Sequence, residues 1–443
     1  MKQGYKKIYK KCGILLFWLI VWTGLALAVN NKILLVSPLE TAAGLLSLFG
    51  RKLFYVTAGY SMLRIGIGFV SGFTAALLLA VGSFRFPLLA EALAPVMNLI
   101  KATPVASFVV LLLIWWGSSR LAVAVCFLVV LPNIYVSTLE GLKNTDRQLL
   151  EMAYVFRLPL WNRFFYIYRP ALKPFLCSSM EVSLGMCWKS GVAAEVIGTP
   201  DYSIGERLYM SKIYLDTAGV FAWTAVIILL SILFEKLMMR FIGYFFDWEP
   251  ACKRQRIFVE EKEDRRIVLT EIEKRYDGQV ILDKVSRIYE QGNVYCLTSP
   301  SGSGKTTLLR VLAGLVKPDG GQVTVPAACS MVFQEDRLCG DYSAVRNVEL
   351  VTGDRRGAED ALGMLLEREA LHKPCSRLSG GMKRRVALVR AMEADSAYVL
   401  LDEPFTGMDA ETRRRAEKYI AEKQGGRVII MASHVKEGTA LSP

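Results

Sequence analysis

Ser299 to Thr307 read SPSGSGKTT, a run of small residues closed by a lysine and two hydroxyls. An apolar stretch, Val294 to Leu297, precedes it, and Leu308, Leu309, Val311 and Leu312 follow at helical spacing. In that strand, loop and helix context, successive backbone N–H groups point at phosphate oxygens and the helix N-terminus adds its positive dipole end. The loop Ser299, Pro300, Ser301, Gly302, Ser303 and Gly304 would cradle the phosphates of a nucleotide. Lys305 would reach the β and γ groups, and the hydroxyl of Thr306, next to Thr307, would sit on Mg²⁺. The usual pattern opens with glycine where this chain has Ser299, and serine is strained there only if φ is positive.

A second pair of reactive groups lies a hundred residues on. Tyr398, Val399, Leu400 and Leu401 read as a buried strand that ends in Asp402 and Glu403. Two carboxylates delivered at a strand end suit a metal and a water: Asp402 would hold Mg²⁺ and Glu403 would polarise the attacking water.

The rest of the chain must position these groups, and its composition is split. Of 443 residues, 53% are hydrophobic, more than a water-soluble chain usually carries. Up to Arg256 there are 26 Lys and Arg against 13 Asp and Glu; from Ile257 onward the numbers are 28 and 28. The positive excess therefore belongs to the apolar half, as in the cytoplasmic loops of a membrane protein, and not to a nucleic-acid surface. The nine cysteines are scattered, with no CxxC pair, so neither a disulfide framework nor a zinc site is implied.

Six apolar stretches of membrane-crossing length follow one another: 13–29, 60–81, 93–116, 121–142, 175–197 and 219–242. The first, after Lys2, Lys6, Lys7, Lys10 and Lys11, also resembles a cleavable signal peptide ending near Ala26-Leu27-Ala28. Retention as a membrane helix fits the spans that follow and sets the N-terminus in the cytoplasm. Pro104 and Pro132 fall inside spans, where kinks or breaks are expected. The fifth span carries Glu181, Lys189 and Glu195 among small residues and should line the bundle interior. Residues 39–53 read as an amphipathic segment in the interface. The basic loop 142–174 should face the cytoplasm, as should the polar remainder, in which strand and helix patterns alternate.

In the loop, EMAYVFRLPLWNRFFYIYRP resembles the EAA loop of bacterial ABC importer permeases, matching at Glu151, Ala153, Ile167 and Pro170 and departing at Met152 and Arg157. That family's loop docks on the ATPase. The polar part resembles an ABC ATPase over nearly its whole length. The resemblance implies that Tyr276 stacks on adenine and that Gln334, in MVFQEDR, senses Mg²⁺ and the attacking water. It also implies that Ser379, Gly380 and Gly381 of LSGGM bind the γ phosphate held by a facing subunit, with Asp409 in the loop across the dimer. His434 matches the switch histidine, and Val435 replaces the aspartate that usually follows. The chain ends nine residues beyond His434, earlier than the chains it resembles, which implies no C-terminal regulatory domain.

The fold expected is an all-α membrane domain of six spans in residues 1–250, a linker over 251–266 and an α/β nucleotide-binding domain of ABC type in 267–443. The permease half resembles the nitrate, sulfonate and taurine group through Ile100 to Ser119, Gly191 to Gly198 and Ser203 to Tyr209, a group with relatives for thiamine precursors. The resemblance implies ATP-driven import through the cytoplasmic membrane, a homodimer, ATP and Mg²⁺, and a small solute delivered by a separate extracytoplasmic binding protein. Two other readings stay open: a degenerate nucleotide-binding subunit with little turnover, and a half-exporter, which needs more residues before the ATPase than this chain has.

Overall fold

The computed structural model describes residues 2–253, 266–300, 302–326 and 328–433. Its contacts divide the chain into two units: Met1–Asn144 with Ala171–Trp248, and Thr145–Pro170 with Glu249–Pro443. The sequence assigns the loop 142–174 to a permease of residues 1–250, whereas Thr145–Pro170 belongs to the second unit. The reason is packing: Met152, Ala153, Val155, Tyr166 and Ile167 are buried in that unit's core. Most of the expected linker, residues 254–265, lies outside the described residues.

In chain order the first helices are α1 (Lys2–Val29), α2 (Pro38–Phe49), α3 (Lys52–Arg85), α4 (Pro87–Ala102), α5 (Val105–Trp116) and α6 (Ser118–Lys143). The elbow contributes α7 (Arg147–Val155) and α8 (Leu160–Arg163), after which come α9 (Arg169–Gly198), α10 (Ile204–Ile213) and α11 (Thr217–Asp247). Among the described residues, α3, α6 and α11 are long and apolar enough to cross a membrane, and α4 with α5 makes a fourth if the bent pair is one span. Six such spans are expected from the sequence, so the count differs. α9 has the length, with 30 residues, but carries Glu181, Lys189 and Glu195. The described apolar part of α1 covers only Leu16–Val29. The span over 93–116 is broken at the expected place: α4 and α5 meet at a bend of 102°, and Pro104 caps the second helix. Pro132, by contrast, lies within the continuous α6.

Small residues set the packing of the first unit. A Cβ on Gly68 would meet Cys126 Cβ and Val123 O at 2.6 Å, and one on Gly72 would meet Phe127 O at 2.9 Å. α3 and α6 therefore touch backbone to backbone, the close approach that stabilises helices in lipid, where water no longer drives apolar association. In α2, Ser37 and Glu40 form a reciprocal capping box with Pro38 in the first turn; the helix covers most of the expected amphipathic segment.

Among the described residues the second unit has two sheets. β1 (Ile267–Tyr276), β2 (Gln279–Tyr289) and β4 (Gly320–Thr324) form an antiparallel sheet in the order β2-β1-β4. β3 (Val294–Leu297), β5 (Cys329–Val332), β6 (Tyr398–Asp402) and β7 (Val428–Ala432) form a parallel sheet in the order β3-β7-β6-β5. β6 and β7 are buried along their whole length, as expected of central parallel strands covered on both faces. Helices α12 (Lys305–Leu312), α13 (Ala344–Thr352), α14 (Arg355–Gly363), α15 (Arg368–Leu371), α16 (Gly380–Glu393) and α17 (Ala410–Lys423) complete the unit.

Candidate active site and coupling elbow

Parallel strands send their C-terminal ends to one edge, and the expected chemistry collects there. The loop Ser299 to Gly304 follows β3, Gln334 follows β5, Glu403 follows β6, and β7 ends one residue before Ser433. That edge is where open α/β sheets hold ligands. Ser301 and His434 lie outside the described residues.

The loop after β3 turns on two glycines with positive φ, Gly302 at 82° and Gly304 at 83°, the second capping α12. A side chain on Gly304 would also meet Ile281 O at 2.8 Å, so glycine is required there twice over. Ser299 does not adopt positive φ, and serine therefore carries no backbone penalty at that position. Ser303 N–H donates to Pro300 O at 3.3 Å, tightening the turn. Lys305 Nζ donates to the carbonyls of Ser299 and Pro300, folded back over the loop that it serves. Thr307 is half-buried in the first turn of α12.

Thr306 Oγ1 donates to Asp402 Oδ1 at 3.3 Å, and Asp402 Oδ2 is buried without a hydrogen-bond partner. Burial pushes the Asp402 carboxyl above its ordinary range, against the Thr306 hydrogen bond, and the neighbouring Glu403 charge adds to the rise. A bare carboxylate oxygen beside a hydroxyl is a donor set for a hard divalent cation, so these residues fit Mg²⁺. Glu403 holds φ at 49°, its N–H donating to Ala432 O at 3.0 Å and its Oε2 accepting from Thr406 Oγ1 at 3.3 Å. Left-handed backbone in a non-glycine residue at the end of a buried strand is strain of the kind that marks functional positions.

Arg384 was not singled out from the sequence. Its guanidinium, 3% exposed, donates to the carbonyls of Phe333, Gln334, Asp402 and Glu403. It thereby ties α16, which begins at the LSGGM segment, to the Gln334 loop and to the paired carboxylates. Only its position four residues after Gly380, in the first turns of that helix, hints at this in the sequence.

Ser379 caps α16, its Oγ accepting from Met382 N at 3.3 Å, with Gly380 exposed and Gly381 half-buried beside it. Among the described residues no hydrogen bond joins this segment to the loop 299–307. Asp409 caps α17, and the Thr412 N–H at 2.7 Å holds its carboxyl below the ordinary range. Tyr276, 46% exposed, ends β1 just before the Asp277-Gly278 turn, with Lys274 Nζ 5.4 Å from its ring centre.

Beside its buried apolar residues, the elbow is tied to the nucleotide-binding elements of this unit by one carboxylate. Glu151 accepts from Arg337 Nη1 at 2.8 Å and from Arg310 Nη2 at 3.1 Å, with Arg147 3.7 Å away. Arg310 lies on α12, five residues after Lys305, and Arg337 three residues after Gln334. Ala153 and Ile167 are buried, at 1% and 2% exposure, and Pro170 is half-buried. Arg157 takes positive φ, 48°, and Leu158 N–H closes the turn on Ala153 O at 2.9 Å. Asn162 Nδ2 donates to Leu350 O at 3.1 Å, and Tyr342 OH donates to Phe165 O at 3.2 Å. Neither arginine partner of Glu151 is marked in the sequence, where each reads as one more surface cation.

Two family models match the chain. The one described as "Binding-protein-dependent transport system inner membrane component" covers residues 72–245, and the one described as "ABC transporter" covers residues 282–406. The chain is 44% identical over 152 residues to aliphatic sulfonates import ATP-binding protein SsuB 1 of Pseudomonas fluorescens, a match to 34% of this chain and 59% of that protein. It is 38% identical over 178 residues to SsuB 3 of Paraburkholderia xenovorans, covering 39% of this chain and 72% of the relative. Against SsuB 2 of the same organism it is 35% identical over 200 residues, 44% of this chain and 79% of the relative.

Proposed function

The chain belongs to the ABC transporters, with a binding-protein-dependent permease and its ATPase in one polypeptide, and we propose that it imports a small organic anion of the aliphatic sulfonate type. Hydrolysis of ATP drives the transport. The cargo class is taken from the printed names of the relatives and from the resemblance of the permease half to the nitrate, sulfonate and taurine group. A separate extracytoplasmic receptor would deliver the cargo, and a homodimer would place the Ser379 segment of each copy on the ATP of the other. The polar unit and the N-terminus would lie on the cytoplasmic side of the inner membrane.

In this reading the loop from Ser299 to Thr307 binds the triphosphate and Lys305 neutralises its β and γ groups. Tyr276 stacks on the base. Thr306, Asp402 and Gln334 would hold Mg²⁺, which supplies positive charge at those phosphates when bound. Glu403 polarises the attacking water, His434 contacts the γ phosphate, and Ser379, Gly380, Gly381 and Asp409 close the site from the facing copy.

The single observation that carries the coupling is Glu151 held between Arg310 and Arg337. One arginine shares a rigid helix with Lys305 and the other shares a short loop with Gln334, so a shift of either phosphate-sensing element is transmitted to the elbow. The deciding measurement is uptake of labelled alkanesulfonate into proteoliposomes, with ATP inside and the receptor outside. Uptake that needs ATP and the receptor supports the reading; ATP turnover with no sulfonate movement in either direction defeats it.

A further inference from the structure

A cavity of about 430 Å³ lies in the first unit between α2, α3, α10 and α11. It sits at the start of α11, whose 31 residues rise about 45 Å before the chain leaves for the nucleotide-binding unit. The topology proposed above, on which this inference rests, makes the second unit cytoplasmic, and the start of α11 would therefore face the outer surface. Phe54 and Trp223, stacked with centroids 5.8 Å apart, form its apolar floor.

Two guanidinium groups line it, Arg51 at the cap of α3 and Arg207 in α10. Arg207 Nε is buried and has no hydrogen-bond partner. Among the described residues neither arginine is paired with a carboxylate. Asp216 also lines the cavity, but its Oδ1 accepts the Gly219 N–H at 2.9 Å as the cap of α11. The cavity thus keeps a positive excess with an unmet donor. At the mouth, Leu53, Met210 and Tyr214 are 41%, 37% and 77% exposed, an apolar and aromatic rim of the type found where membrane proteins meet headgroups.

We propose that this cavity holds the phosphodiester of an anionic phospholipid of the outer leaflet, between Arg51 and Arg207, with the acyl chains passing over Leu53 and Met210. Guanidinium forks match phosphate oxygens in pairs, and a partly buried cation without a counter-charge is costly until an anion reaches it. Free phosphate shares the headgroup chemistry but makes no contact with the apolar rim.

The test is thermal unfolding and native mass spectrometry of the full detergent-purified protein with phosphatidylglycerol, phosphatidylcholine or inorganic phosphate. Phosphatidylglycerol is expected to remain bound and to raise Tm, and Arg51→Ala and Arg207→Ala each to weaken its binding about five- to tenfold. Arg207→Lys should recover part of that loss, which separates lost charge from misfolding. If Arg207→Ala does not fold, Arg51→Ala with lipid retention read by mass carries the test. Equal binding of the charged and the zwitterionic lipid, or full binding to the double alanine variant, overturns the proposal. A Tm rise from inorganic phosphate that matches the rise from lipid assigns the site to a free anion and overturns the lipid assignment.

Discussion

Arg310 of the phosphate-loop helix and Glu151 of the elbow form an ion pair at 3.1 Å, and Arg337 closes on the same carboxylate at 2.8 Å. The carboxylate is only 19% exposed, so replacing it leaves two arginines facing one another with little solvent to screen them, a loss larger than that of a surface pair. Glu151→Gln is expected to lower sulfonate uptake about tenfold or more while lowering ATP turnover much less. Paired uptake and phosphate-release assays on one proteoliposome preparation check this; a parallel fall in both rates would mean that Glu151 serves the ATPase and not the coupling.

Lys305 and Glu403 should fail in different ways. Lys305→Ala removes the cation over the phosphates and is expected to abolish turnover. Glu403→Gln keeps ATP binding but removes the base, and is expected to trap ATP in a stable dimer. Size-exclusion chromatography with bound-nucleotide analysis distinguishes them. A lasting monomer of Glu403→Gln in ATP and Mg²⁺ contradicts the homodimer.

Asp402 makes a pH prediction. Burial raises its carboxyl above the ordinary range, so the folded protein binds that proton more tightly than the unfolded chain does. The resulting stability is complete below the unfolded value, about 3.9, and is lost as pH rises through the folded value. Without nucleotide, Asp402→Asn is therefore expected to raise Tm at neutral pH relative to the parent, and to do so less at acid pH, while it abolishes Mg²⁺-dependent hydrolysis. Tm measured across pH for both proteins is the check, and a destabilised Asn variant at neutral pH contradicts it.

Arg157 holds φ at 48° in the elbow turn, where the resembling loops have glycine. A left-handed backbone costs an L-residue about 1 kcal/mol or more, partly offset by the freedom that glycine gains in the unfolded chain. Arg157→Gly is expected to stabilise the protein by about 0.5 kcal/mol, read as a higher denaturation midpoint. A lower midpoint would mean that the side chain's own contacts outweigh the strain.

Much of the site was legible in the sequence because it is local. A lysine and hydroxyl after a glycine turn, or two carboxylates at the end of an apolar strand, need only neighbours in the chain to declare their chemistry. The parallel order β3-β7-β6-β5 then brings the ends of those strands to one edge, which composition and motif spacing do not express. Arg384 and Arg310 escaped notice for the same reason: an arginine reads as solvent-facing until the fold supplies the carbonyls or the carboxylate that it meets.

The chain's own pattern determined that an apolar helical half precedes a nucleotide-binding half, since hydropathy and motif spacing are properties of consecutive residues. Only the tertiary structure decided that Glu151 of the docking loop meets Arg310 and Arg337, and that the break at Pro104 turns the chain by as much as 102°. Both depend on which distant surfaces bury one another, and burial energy is a property of pairs brought together by folding, not of position along the polypeptide.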